Sequence, residues 1–237
     1  PDWLEKLEKE CWVITRDRAK QLEEKTQGFK NFRDLSVSEL NEIRILNRLS
    51  FNKIQKVCKG GKEYFSGAFK KNYLTNMQRE SLIRLFSTLE THIPERMLIN
   101  YKNKSQCFAE IPKTGFDNDL IRFLALIVAE GHLTHDEIKF SQSRNEVLSD
   151  FLNICSKYFN VKPIYNGRFD YLVRNKALVK FLQIRYGLLT GNSRKSSIPM
   201  WVFSLPNKKL GVLLRSFFTT EGNVNDRSGQ IALIQAN

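Results

Sequence analysis

The chain has 237 residues, 41% hydrophobic and 27% charged, which is ordinary globular usage and excludes wholesale disorder. Lys+Arg 38 against Asp+Glu 25 leaves a formal charge of +13, which points to a polyanionic partner. The longest apolar run, residues 123–129, falls well short of the roughly 18 residues a spanning helix needs, so no membrane role is expected. Four cysteines (Cys11, Cys58, Cys107, Cys155) stand far apart without a CxxC pair. That spacing argues against a zinc ribbon or a disulfide framework and predicts reduced thiols in an intracellular protein, cytoplasmic or nucleoid-associated. The chain opens on Pro1 rather than Met, as expected of a fragment or a processed piece.

Residues 1–116 read as a mostly helical region. Leu4, Leu7, Cys11, Ile14 and Leu22 keep helical spacing and predict one amphipathic helix. Leu40, Ile43, Leu46, Ile54 and Val57 predict a second, broken by Gly60-Gly61. Asn76 is placed to cap a third, carrying Leu82, Leu85, Phe86 and Leu89. The gap from Cys58 to Asn76 is too long for a tight helix-turn-helix, so this region reads as helical support. Pro94 and Pro112, with polar sequence between them, mark a boundary before Asp117.

Past that boundary the pattern sharpens. Residues 117–130 have an acidic start and an apolar body, a helix ended by Gly131. Residues 138–143 alternate as a half-exposed strand does, with Ile138 and Phe140 on one face and Lys139, Ser141 and Ser143 on the other. Asn145 is placed to cap a helix running to Phe159. Asn166-Gly167 signals a hairpin turn ahead of the alternating residues 168–174, and a helix over about 177–189 follows. The fold class expected is α+β, with the order helix, two strands, helix, two strands, helix over 117–190. Such a layout leaves one strand face basic and open to a ligand. Charge agrees: between Lys157 and Arg215 twelve basic residues face one acid, Asp170, a net +11. A block so lopsided repels itself unless a polyanion is its partner, and double-stranded DNA is the partner expected.

The chain also repeats itself. Phe123-Leu-Ala-Leu-Ile-Val-Ala-Glu130-Gly131 and Leu214-Arg-Ser-Phe-Phe-Thr-Thr-Glu221-Gly222 share one grammar, 91 residues apart. Small residues stand third and seventh (Ala125 and Ala129; Ser216 and Thr220), and both segments close in Glu-Gly. Small side chains four apart share a helical face and let two helices approach closely. Parallel packing of the two helices would bring Glu130 and Glu221 together at one end of the seam. Two adjacent carboxylates are electrostatically costly without a cation between them, and oxygen ligands near phosphates suit Mg²⁺. A site of that kind activates water and stabilises the leaving oxygen of a phosphodiester.

These two segments resemble the LAGLIDADG (dodecapeptide) motifs of homing endonucleases, especially the intein-associated type. The similarity extends to Ser193-Arg-Lys-Ser-Ser-Ile-Pro-Met-Trp-Val-Phe203 and covers about residues 117–237. It implies an αββαββα unit duplicated about a pseudo-two-fold axis, in a protein that is monomeric when complete. A saddle-shaped sheet would read the DNA major groove, and each half would cut one strand. It also implies that Glu130 and Glu221 bind the divalent metal and that Lys195 is the active-site lysine. Here Lys195 lies three residues before Ile198, whereas many relatives have it two before, where Ser196 stands. Ala125 and Ser216 replace the first glycine of the motif, and Val128 and Thr219 its first aspartate.

The resemblance divides the chain into residues 1–116, a first unit at 117–190, a linker with the Ile-Pro block at 191–211, and the start of a second unit at 212–237. DNA contacts are expected from Lys139, Ser141, Ser143, Lys162, Arg168, Arg174 and Arg194. Residues 222–237 suffice for one hairpin around 226–229, so the chain as it stands is expected to bind DNA weakly and cut poorly. No splicing machinery is legible, since Pro1 is no nucleophile and Ala236 precedes Asn237. His132 and His135, three apart, read as part of a hairpin turn rather than a metal pair. The alternatives on the same scaffold are a non-catalytic DNA-binding regulator and an intron RNA maturase.

Overall fold

The computed structural model describes residues 2–58, 62–113, 115–191, 198–225 and 230–233. It is an α+β structure in which helices pack on antiparallel sheets. Two compact units account for the chain: Glu8–Lys113, and residues 1–7 together with 114–237. Among the described residues no helix is long and apolar enough to cross a membrane.

The first residues depart from the helix expected over 4–22. They form α1 (Asp2–Glu10), β1 (Cys11–Ile14) and α2 (Arg16–Lys25). Cys11-Trp-Val-Ile is rich in strand formers. Thr15 then restarts the helix, its Oγ1 accepting from the Arg18 N–H at 3.1 Å. The second expected helix is likewise two, α3 (Val37–Leu46) and α4 (Phe51–Cys58), parted where Arg48 adopts φ 51°. The Gly60-Gly61 break lies outside the described residues. After α5 (Lys62–Lys70) comes α6 (Asn76–Phe86), whose cap is Thr75 rather than Asn76. Thr75 and Gln78 satisfy each other's backbone N–H groups, a capping box that Asn76 cannot form from inside the helix. The polar stretch read as a boundary holds a hairpin, β2 (Met97–Tyr101) and β3 (Phe108–Ile111). Strand β2 is central, pairing β1 from Cys11↔Tyr101 to Ile14↔Leu98 and β3 from Met97↔Ile111 to Asn100↔Phe108. Leu22, Ile43, Phe65, Phe86 and Leu98 belong to the core beneath.

The second unit follows the expected order. It runs α7 (Asn118–Glu130), β4 (Gly131–Leu133), β5 (Ile138–Ser141) and α8 (Asn145–Asn153), which a π-helical turn extends over Ile154–Tyr158. It continues through β6 (Ile164–Tyr165), β7 (Asp170–Val173) and α9 (Lys176–Tyr186). The four strands lie antiparallel in the order β4-β5-β7-β6. An aromatic stack joins sheet to helices: Phe140 lies 4.2 Å from Phe151, and Phe123 lies 4.6 Å from Phe159, centroid to centroid. The Asn166-Gly167 hairpin is wider than a two-residue turn. Residues 166–169 all lie outside the strands, with Gly167, Arg168 and Phe169 at positive φ.

A 3₁₀ turn (Met200–Ser204) leads into α10 (Asn207–Glu221). Then β8 (Gly222–Asn225) and β9 (Gln230–Leu233) form a separate antiparallel hairpin, whose connecting residues 226–229 lie outside the described residues.

Candidate active site

Helices α7 and α10 share one core, with Ile121 and Ala125 from α7 meeting Leu213 and Phe217 from α10, and Val128 and Ala129 packed against them. At the start of both helices the Lys209 ammonium donates to Asn118 Oδ1 at 2.8 Å. From that contact the shared core residues climb both helices in the same direction, so the two run parallel. Glu130 stands twelve residues beyond Asn118, and Glu221 twelve beyond Lys209. Equal numbers of residues at 1.5 Å each carry both helices to the same height. Thr220 is buried, and Ser216 is half-buried with its hydroxyl donating to the Val212 carbonyl at 3.0 Å.

Both helices also end alike. Gly131 sits at φ −84°, ψ 140° and donates to the Ile127 carbonyl; Gly222 sits at φ −71°, ψ 136° and donates to Phe218. Neither is in the left-handed conformation expected of a glycine helix stop, and each leads straight into a strand. Glycine is needed for space. A Cβ on Gly131 would lie 2.5 Å from the Ile127 carbonyl oxygen, and one on Gly222 would lie 2.3 Å from that of Phe218. Each glutamate therefore stands at an abrupt helix-to-hairpin junction. Glu130 is half-buried there. The Glu221 side chain, Arg194 and Lys195 lie outside the described residues. Among the described residues no group of three or more His, Cys, Asp or Glu side chains could hold a metal. Carboxylates offer only oxygen donors, which suit a hard cation that keeps several waters and shares phosphate oxygens better than they suit zinc.

The expected DNA-facing residues lie in two different situations. Lys139 and Ser141 share the outer face of β5, and both hold Asp170 on β7: the Lys139 ammonium at 2.7 Å from Oδ2, the Ser141 hydroxyl donating to Oδ1 at 2.5 Å. The Lys139 contact, then that of Ser141, pulls the Asp170 carboxyl below its ordinary value. Arg174 pairs with Glu137 at 3.2 Å. Lys162, Arg168 and Ser143 are exposed. The basic block is thus partly structural. Lys176 is buried against Asp136 at 2.9 Å, and the Arg185 guanidinium lies 4.1 Å from the centre of the Trp3 ring.

Sequence reading missed Asp170 as the partner of Lys139 and Ser141, because cross-strand register brings them together. It also missed Arg144, whose guanidinium donates to the Thr219 carbonyl near the end of α10. His132 pairs with Lys139 across the strands, whereas His135 bonds Asp136 and Lys176 in the turn. No family model matches this sequence, and no curated protein matches it.

Proposed function

We propose that residues 117–237 belong to a site-specific LAGLIDADG-type endonuclease that hydrolyses phosphodiesters of double-stranded DNA with a divalent metal. The observation that carries the reading is the pair of helix ends. Two Glu-Gly junctions with the same backbone geometry close two parallel helices that share one core. An arrangement that sets two acidic residues at one end of a close-packed seam has a clear use if a cation sits between them.

Glu130 and Glu221 would hold Mg²⁺, which when bound supplies water activation and charge stabilisation at the leaving oxygen. The chain's own groups do the rest. The glycine junctions set the backbone that follows Glu130 and Glu221, and Arg144 ties the β5–α8 connection to the end of α10. Exposed Lys162 and Arg168 position the phosphate backbone, and Lys195 polarises the scissile phosphate or attacking water. Within this reading Ser143 and Arg194 add contacts to the duplex, and Lys139 and Arg174 do so by exchanging a carboxylate for a phosphate.

Nicking of supercoiled DNA tests this, because a single strand cut is enough to relax it. Mg²⁺-dependent nicking that disappears in Glu130→Gln and in Glu221→Gln supports the endonuclease. Duplex binding without any nicking makes the protein a DNA-binding regulator, and structured RNA that displaces duplex DNA makes it a maturase.

A further inference from the structure

The hairpin that joins β6 to β7 turns through three consecutive residues at positive φ: Gly167 at 86°, Arg168 at 46° and Phe169 at 68°. Glycine adopts that conformation freely, whereas a bulky side chain does so at a cost. The unit Glu8–Lys113 shows how such a cost is offset. Phe29 also has a positive φ, 61°, but it is 8% exposed and belongs to the core of that unit. Phe169 gains no such burial, for it is 61% exposed.

The backbone beneath that ring is nevertheless tied down. Asn166 donates its N–H to the Asp170 carbonyl at 2.9 Å, and Asp170 donates to that of Gly167 at 2.8 Å. Gln142, just past β5, donates to the Phe169 carbonyl at 3.2 Å. The Asp170 side chain is held in turn by Lys139 and Ser141. An aromatic ring presented on a fixed backbone has little freedom left to lose when it meets a flat partner.

Charge indicates which partner. Between Lys162 and Arg174 the only acid is Asp170, already engaged by Lys139 and Ser141. Arg168 and Lys162 are exposed. A second copy meeting this tip symmetrically would set like charges against each other. A nucleic-acid backbone neutralises them, and its bases offer flat faces to the ring.

We propose that Phe169 is a wedge: its ring enters a step of the bound duplex and stacks on a base there, while Arg168 contacts the adjoining phosphate. This rests on the duplex-DNA partner proposed above. It adds a residue that reads how easily a base step opens rather than which hydrogen-bonding groups the step displays.

The test compares two short duplexes by fluorescence anisotropy, one fully matched and one with a pair of adjacent T·T mismatches at its centre. Unstacking a mismatched base costs less than unstacking a paired one. The 237-residue chain should therefore bind the mismatched duplex roughly tenfold more tightly. Phe169→Ala should abolish that preference, and Phe169→Trp should keep it. Stacking releases no counterions, so Phe169→Ala should leave the salt dependence of binding unchanged, whereas Arg168→Ala should lower its slope by about 0.9. Because Phe169 is exposed, Phe169→Ala should not lower the thermal midpoint of the free chain. Equal affinity for the two duplexes, or a preference that survives in Phe169→Ala, overturns the wedge even where the chain nicks plasmid DNA. A preference that survives while Phe169→Ala dissociates a dimer of the free chain assigns the tip to a second copy instead, and also overturns it. Binding of neither duplex removes the duplex-DNA reading itself, and the wedge with it.

Discussion

Helices α7 and α10 carry the same motif and end in the same backbone turn, yet their outer faces meet different surroundings. Phe123 is fully buried and Ile127 is 2% exposed, whereas their counterparts Leu214 and Phe218 are 43% and 40% exposed. The reason is what lies behind each helix. The four-stranded sheet and α8 cover α7 through Phe140, Phe151 and Phe159. Across the seam the helices are matched, small residue for small residue. A motif thus specifies a helix, its junction and the face that meets its twin, and leaves the far face to the rest of the chain.

The largest expected contrast follows directly. Phe123→Ala should cost about 3–5 kcal/mol in chemical denaturation, while Leu214→Ala should cost under about 1 kcal/mol. Equal costs would mean that α10 is covered as α7 is. The junctions should instead behave alike. Gly131→Ala and Gly222→Ala should each cost roughly 1–3 kcal/mol, because a backbone carbonyl rather than a flexible side chain blocks the new Cβ. One tolerant site would break the equivalence of the two helix ends.

Smaller effects belong to the four-stranded sheet behind α7. Its Asp170 titrates below 3.8 in the folded chain because of Lys139 and then Ser141. A lowered acid pKa contributes stability that is present above the unfolded value and is lost as pH falls through the folded one. NMR titration of the Asp170 carboxyl should therefore show a midpoint below 3.8, and Lys139→Ala should raise it. Arg168→Ala should weaken duplex binding roughly threefold at moderate salt, and Arg174→Ala by less, since Glu137 already neutralises Arg174. Fluorescence anisotropy would show whether that order holds.

Much of the second unit was legible before any coordinates. The αββαββα order rests on local signals: alternating Ile138 and Phe140, the Asn166-Gly167 turn, and Asp117 at an acidic helix start. Residues 1–116 were harder to read for a physical reason. Cys11 and Ile14 fit a helical period as well as a short strand, and only pairing with Tyr101 and Leu98, far along the chain, decides between them. The same holds at the candidate site. Glu130, Glu221 and the small residues were visible as a repeat. The ion pairs of Lys139 and Arg174 depend on register and loop geometry, which leave no trace in composition. The charge count from Lys157 to Arg215 consequently overstated the free positive surface.

If Glu130 and Glu221 share one cation at the end of the seam, as proposed, each is needed to hold it. Electron paramagnetic resonance of Mn²⁺ titrated into the chain with duplex DNA reads that binding. A bound ion is expected, with an affinity that falls at least about tenfold in Glu130→Gln and, separately, in Glu221→Gln. Unchanged Mn²⁺ binding in both single variants would contradict it.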